Sequence, residues 1–365
     1  MRITEVRSHL VDLGVTMQYR ADVAPVQLQC LLVRIVSDEG LEGFSQPLSL
    51  GSGASLAHGV AGLARATVVG EDPRYPERIW QKLWAANRIG TISNLVHSAI
   101  DIAVWDLAGK IAGLPLYMML GAYRDSVRAY ASTPTLADTD AYINLCQQLV
   151  KDGFRAIKLH GWGEPERDIE ACEAVRHAVG PKIALMLDVV GAYDRASALR
   201  VGRELDRLHF EWFEEPILDH DLAGYRDLCN SLDIPIAGGE VLGGGIYDYA
   251  TLLSMQALDI VRPSASLIRG ITPMRKAAAM AEAFNVRCEP NSYGTPLTLA
   301  ANLHVICTIK NCDYLEIPVP RGALETLAVG ALPLTAEGDV QAPQKPGLGV
   351  DIDVEDLERR TVAVV

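Results

Sequence analysis

Three acids in this sequence have the type and spacing to do chemistry together: Asp188 in IALMLD, Glu214 in EWFEEP and Glu240 in PIAGGE, with 214 − 188 = 26 and 240 − 214 = 26. Each closes a short apolar run that reads as a buried strand, and helical periodicity lies between them. In a β/α repeat such acids end successive parallel strands and share one mouth, where barrel active sites are built. Three converging carboxylates repel one another unless a cation offsets them, and oxygen-only donors suit a hard ion such as Mg²⁺. A single strand-end acid reads equally well as a helix N-cap; three at an equal repeat do not. Glu215 is the adjacent alternative to Glu214. Successive strand residues face opposite ways, so only one of the two is expected to face the mouth. Lys158 and His160 in RAIKLH lie two apart on a predicted strand and share one side. The unperturbed pKa of histidine, near 6.5, suits acid–base work at neutral pH.

The elements that must position these residues follow from the pattern of residues 125–320. Short β runs alternate with helices of about a dozen residues: VRAYAS, helix 139–151, RAIKLH, helix 165–179, IALMLD, helix 194–207, FEWFEE, helix 221–231, PIAGGE, helix 245–254, DIVRPS, helix 270–283, VRCEPN, helix 296–307, YLEI. This period implies parallel strands, and eight of them imply a closed barrel. A doubly wound sheet would also alternate, but no GxGxxG follows an early strand. Residues 1–45 alternate polar and apolar and read as strands, with GVTMQYRADVAP as an intervening loop and SLGSGASLAHG (49–59) as a second loop. From about 53 to 121 the chain reads as helical. The clearest helix, NLVHSAIDIAVWDLAGKIAG, has Ile100, Ala103, Val104, Leu107, Ala108 and Ile111 on one apolar face, and Gly113 and Pro115 stop it. The expected division is an α+β domain over 1–122, the barrel over 123–320, and a Pro- and Gly-rich segment over 321–365 that returns to cover the first domain.

Bulk properties set limits on partners. Net charge is 33 − 46 = −13 with no long basic run, which argues against nucleic acid. The seven cysteines are scattered without a CxxC, as expected of reduced, mostly buried thiols in the cytoplasm. No signal peptide or eighteen-residue apolar run is read, so no membrane association is expected.

Taken together, the helix SAIDIAVWDLAGKIAGLPLYMMLG (98–121), the K-x-H at Lys158–His160, the spaced acids, WFEEP and YLEIPVP make a specific set. Over essentially its whole length the chain resembles the enolase superfamily, in particular the mandelate racemase/muconate lactonizing enzyme group. The resemblance implies an α/β fold, a modified (β/α)₇β TIM barrel with an N-terminal α+β capping domain. It implies removal of the proton α to a carboxylate, using a Lys or His base and Mg²⁺, with Mn²⁺ as a substitute. Asp188, Glu214 and Glu240 take the places of the metal ligands. Lys158 takes the place that polarises the substrate carboxylate, and His160 that of the general base. Glu316 falls where the family hydrogen-bonds the substrate carboxylate, a role for which it would have to be protonated. A homo-oligomer and a small-molecule carboxylate substrate are also implied.

The chain departs from the group's racemases on the second face. Where they carry His and Asp, this sequence has Asn291 and Ser264, and neither takes a proton at neutral pH. One-face chemistry survives: a syn dehydration of a sugar acid, or a cycloisomerisation. A racemase or epimerase is the same-class alternative. A non-catalytic carboxylate binder is the alternative of another class, and retention of Lys158 and His160 argues against it. Asn291 and Ser264 are candidate contacts for substrate hydroxyls, with Tyr293 a rim group or proton donor. Val190, where relatives carry Asn or His, makes the pocket floor drier. Tyr19 and Arg20 in the first loop, His58 in the second, and Trp162 beyond His160 complete the candidate substrate contacts.

Overall fold

The computed structural model describes residues 1–17, 25–49, 52–322, 324–329 and 332–365. The chain begins with strands β1 (Ile3–Met17), β2 (Val26–Ser37), β3 (Glu42–Ser45) and β4 (Leu48–Ser49), followed by helices α1 (Gly53–Thr67), α2 (Pro76–Gly90), α3 (Asn94–Ala112) and α4 (Leu116–Leu120). β1, β2 and β3 form an antiparallel sheet, with β4 on β2. The second loop read from the sequence is shorter than expected. Helix α1 starts at Gly53, so His58 lies exposed on a helix. Leu56, Ala57, Val60, Leu63 and Ala64 recur at helical spacing there and bury one face of α1 in the cap core.

Helix α3 corrects the single apolar face expected of it. Val104 and Leu107 pack into the cap core while Ile102 and Trp105 join the barrel core, so the helix is buried on nearly every side. Its polar residues are correspondingly satisfied. Asp101 accepts from the Thr272 amide (3.0 Å) and hydroxyl (2.7 Å), and Trp105 Nε1 donates to Thr272 Oγ1 at 2.8 Å. Gly270, at φ +122°, lets this approach happen, since a Cβ there would lie 2.2 Å from Asp101 Oδ2.

Strands and helices then alternate as read: β5 (Ser126–Ser132), α5 (Thr139–Lys151), β6 (Ala156–His160), α6 (Pro165–Val179), β7 (Ala184–Asp188), α7 (Arg195–Arg207), β8 (Trp212–Glu214), α8 (Leu222–Cys229), β9 (Ile236–Gly238), α9 (Ile246–Ser254), β10 (Ile260–Val261), α10 (Ile271–Ala283), β11 (Arg287–Cys288), α11 (Pro296–Ile306) and β12 (Tyr314–Pro318). Asp138, Asp194 and Asp221 cap α5, α7 and α8 by accepting backbone N–H groups, and Pro165 starts α6, so local sequence sets where the helices begin. The eight strands run parallel in the order β11-β10-β9-β8-β7-β6-β5-β12 and curl into a barrel. Between β11 and β12 the seam is made differently. The Cys288 amide donates to the Asn311 carbonyl at 2.8 Å, and the Glu289 carboxylate accepts the amides of Asp313 and Tyr314. Tyr130, Ala156, Met186, Trp212, Ala237 and Ile260 fill the barrel interior, while Ile157, Leu159, Leu185, Leu187 and Phe213 face outward to the helices.

Residues beyond the barrel form β13 (Ala328–Val329), β14 (Asp339–Gln341), β15 (Asp351–Ile352), α12 (Val354–Arg360) and β16 (Thr361–Val364). β14 pairs antiparallel with β5, and β16 returns to pair with β1, His9 opposite Val364. All seven cysteines are free, and only Cys229 is not fully buried. Among the described residues no helix is long and apolar enough to cross a membrane.

Candidate active site

Strand alternation sets the site. On β6, Ala156 points inward and Ile157 and Leu159 outward, so Lys158 and His160 enter the barrel above its apolar layer. On β7 and β8 the inward residues Met186 and Trp212 are followed two positions later by Asp188 and Glu214. Register places His160 beside Asp188 and Asp188 beside Glu214. Lys158, His160, Asp188 and Glu214 therefore come together at one end of the barrel, joined by Glu240 after β9 and Glu316 on β12.

His160 is held by the backbone. Its Nδ1 lies 2.5 Å from the Thr133 carbonyl oxygen. A carbonyl only accepts, so Nδ1 carries hydrogen and Nε2 is the nitrogen left to take up a proton. Nε2 faces Asp188 Oδ2 at 3.2 Å. Burial disfavours the charged ring, but the Asp188 carboxylate outweighs it and raises the imidazole above its ordinary value. Asp188 is itself held well below the carboxylate range: Lys158 and His160 overcome the cost of its burial.

Beneath this edge lies a closed ring of four buried charges. Lys158 Nζ is 2.6 Å from Glu214 Oε1 and 3.0 Å from Glu316 Oε1. Arg262, at the end of β10, places Nε 2.8 Å from Glu214 Oε1 and Nη2 3.1 Å from Glu316 Oε2. None of the four side chains is more than 1% exposed. Lys158 also donates to Asp188 Oδ2 at 3.1 Å, so two of its donors are hydrogen-bonded, to Asp188 and Glu214, while its contact with Glu316 is an ion pair. Burial pushes the Glu214 carboxyl up, to about 8, against Arg262 and Lys158. Lys158, Arg262 and Trp212 Nε1 stand around it as donors, the last at 2.8 Å from Oε2, and the Asp188 carboxylate adjoins it as an acceptor.

Glu316 differs from the protonated acid expected at its position. Burial opposes its charge, but Lys158 and Arg262 flank it and the Ser292 amide donates to Oε2 at 3.0 Å; its pKa falls to about 2. Glu215 departs from the expected strand alternation. The strand ends at Glu214, and Glu215 sits at φ +41°, buried, with Oε1 unpartnered. Burial first, and then the charges of Glu240 and Asp188, push its carboxyl well up. Val190, two residues after Asp188, also has a positive φ (+50°) and is 68% exposed. For a β-branched residue that backbone is strained. Its amide donates to Asp188 Oδ1 at 2.9 Å.

The remaining candidates divide. Asn291 Nδ2 donates to Glu240 Oε2 at 2.8 Å, on the side of the mouth opposite His160, and Ser264 is buried where β10 leaves the sheet. Tyr293 is half-buried; burial and the Glu316 charge raise its phenol while Lys158 pulls it down. Trp162 is tied into the wall by Nε1 donating to the Leu136 carbonyl (2.7 Å) and an edge contact with Tyr142. Tyr19 and Arg20 lie outside the described residues. Sequence reasoning missed Arg262 and Thr133. Arg262 had a signal, a cation inside the apolar run DIVRPS two positions after an inward Ile260. Thr133 had none, because its backbone acts rather than its side chain.

The fit to a divalent cation can be judged from donors and charge. Four acidic side chains (Asp188, Glu214, Glu240, Glu316) face two fixed cations (Lys158, Arg262), an excess of two acids over cations. The donors are hard oxygens, as Mg²⁺ prefers. Among the described residues no three metal-binding side chains stand as a ready-made cage, since each carboxylate is turned to a protein donor. The set fits in charge and donor type.

Comparison with known proteins agrees with this geometry. Residues 141–357 match the family model described as enolase C-terminal domain-like, and residues 15–121 match the mandelate racemase/muconate lactonizing enzyme N-terminal domain. The chain belongs to the enolase superfamily, in its mandelate racemase/muconate lactonizing enzyme group. D-galactarolactone cycloisomerase of Agrobacterium fabrum is 31% identical over 382 residues, covering 98% of each chain. L-talarate/galactarate dehydratase of Salmonella typhimurium is 34% identical over 297 residues, covering 80% of this chain and 73% of its own. The crystal structure of D-glucarate dehydratase from Agrobacterium tumefaciens, complexed with magnesium, has a TM-score of 0.88 at 32% identity over 100% of both chains. The protein is an enzyme, a lyase or isomerase of this superfamily, and its relatives are sugar-acid dehydratases and cycloisomerases.

Proposed function

We propose that this enzyme removes the proton α to the carboxylate of a sugar acid and expels a β-oxygen from the same face. The observation that carries this reading is the asymmetry of the mouth. His160, its Nδ1 committed to Thr133, presents Nε2 as a base, while Ser264 and Asn291 opposite offer no group that takes up a proton at neutral pH. His160 Nε2 takes the α-proton, the C–H electron pair forms the enediolate, and the β C–O bond breaks. The same imidazolium returns the proton to the departing hydroxyl, so that water leaves and a 2-keto acid remains after tautomerisation.

Asp188, Glu214 and Glu240 are the proposed holders of Mg²⁺, with Glu215 the neighbouring alternative to Glu214. When bound, the cation offsets the charge that proton loss places on the carboxylate. Lys158 polarises that carboxylate from below and Asn291 hydrogen-bonds a substrate hydroxyl; Tyr19 and Arg20, outside the described residues, remain proposed substrate contacts. The relative named D-galactarolactone cycloisomerase favours a second reading, in which a lactone ring oxygen is the leaving group in the same half-reaction.

The test is incubation of the enzyme with a panel of sugar acids and lactones in D₂O with Mg²⁺. Deuterium at the α-carbon of recovered acid, and a semicarbazide-reactive 2-keto product carrying deuterium at the adjacent carbon, are expected for at least one acid. No exchange with any member, while Mg²⁺ binds, overturns the reading.

A further inference from the structure

We infer that Arg262 is a positioning residue of the active site, holding Lys158 in place through the two carboxylates that Lys158 touches. The inference rests on the reading above that Lys158 polarises the substrate carboxylate. Its basis is the closed circuit Lys158–Glu214–Arg262–Glu316, in which every cation meets two anions and every anion two cations. Arg262 is wholly buried; its two terminal nitrogens are hydrogen-bonded and its Nε forms an ion pair without a hydrogen bond. Nε reaches Glu214, Nη2 reaches Glu316 and the Tyr130 hydroxyl (3.0 Å), and Nη1 donates to the Glu289 carbonyl (3.0 Å). The guanidinium lies 5.9 Å from the Trp212 ring centroid. The hydrogen bonds of Nη1 and Nη2 fix the plane of the guanidinium, and the ion pair at Nε ties it to Glu214.

Stability does not account for the arrangement. Charges sunk into a barrel interior gain little over apolar side chains of similar volume, because desolvation offsets their attraction. The neighbouring interior positions, Ile260 and Trp212, show that apolar packing is available at this depth. What the ring supplies is geometry. Glu214 and Glu316 approach Lys158 from different strands, and one rigid planar cation between them sets their separation, so the ammonium has a single place to sit. A lysine at position 262 would carry the charge but could not span both acids. Glu316 then serves Lys158 rather than the substrate, with Oε1 on the ammonium and Oε2 on Arg262 and the Ser292 amide.

Two measurements on the full-length enzyme test this. The first is a denaturation cycle with R262M, E316Q and the double variant. R262M alone leaves Glu214 and Glu316 short of a buried partner, so it is expected to be less stable than the double variant. Additive losses would overturn the ring. The second is titration with tartronate, a small hydroxy-dicarboxylate, in saturating Mg²⁺. R262K, at its own saturating Mg²⁺, is expected to bind tartronate about tenfold more weakly with its near-UV circular dichroism unchanged, a split that a general loss of structure would not produce. R262K binding tartronate as the wild type does would overturn the positioning role. A wild type that binds Mg²⁺ but not tartronate would count against the functional reading instead, and the cycle would still decide whether Arg262 couples the acids.

Discussion

The two sides of the barrel mouth are built from the same kind of strand end and differ in what they can do with a proton. On the β6–β7 side, His160 has one nitrogen fixed by a carbonyl and the other beside Asp188. On the β10–β11 side the corresponding ends carry Ser264, buried and not ionisable at neutral pH, and Asn291, which donates to Glu240. Of the two, only the first carries a side chain that takes up a proton at neutral pH. A barrel mouth can thus change from two-sided to one-sided chemistry without altering a strand.

The most severe way to break this comparison is to remove the base. H160N should lower α-proton exchange in D₂O by about 10²- to 10⁴-fold, while Mg²⁺ binding by calorimetry persists. Exchange surviving at wild-type rate would place the base elsewhere. A smaller effect is expected from giving the second side what it lacks. S264D/N291H should yield some epimerised starting acid beside the eliminated product, detectable by chiral chromatography or NMR. If the double variant stays folded and forms no epimer, one-sidedness has a cause other than the missing proton carrier.

The smallest effect sharpens the comparison between histidines. Asp188 raises His160, whereas burial pushes His97 and His304 down to about 4. His304 Nδ1 accepts the Tyr117 amide and Nε2 donates to the Leu348 carbonyl, an arrangement only the neutral ring allows. Between about pH 6.5 and 4 the unfolded chain binds a proton on each ring that the folded chain does not. Their contribution is complete above pH 6.5 and is lost as pH falls toward 4, by at most about 3 kcal/mol per ring. Urea midpoints at pH 7 and pH 5 should therefore diverge less in H304Q than in the wild type; an unchanged gap would sink this assignment.

Much of the frame was legible in the sequence because periodicity is a local property. The strand and helix alternation, the inward pairing of Lys158 with His160 and the equal spacing of the acids all follow from side-chain direction along one strand. What was not legible depends on several strands at once. Glu316 looked like an acid that must be protonated because Arg262, which keeps it ionised, lies 54 positions away. Glu215 was expected to turn outward by alternation, but the strand stops one residue earlier. Helix α3 showed one apolar stripe, since small and polar residues on its other faces gave no sign of Thr272 and Ser266 waiting across the interface.

The strand pairing of β16 with β1 also bears on how the molecule forms. His9 and Val364 are separated by 364 − 9 = 355 positions, so this edge of the cap sheet is among the most non-local contacts in the chain. Contacts of such separation form late, because loop closure must precede them. The cap would therefore finish assembling only after the barrel residues between its two ends have condensed, and a kinetic probe on β1 should report a slower folding phase than one on the barrel helices.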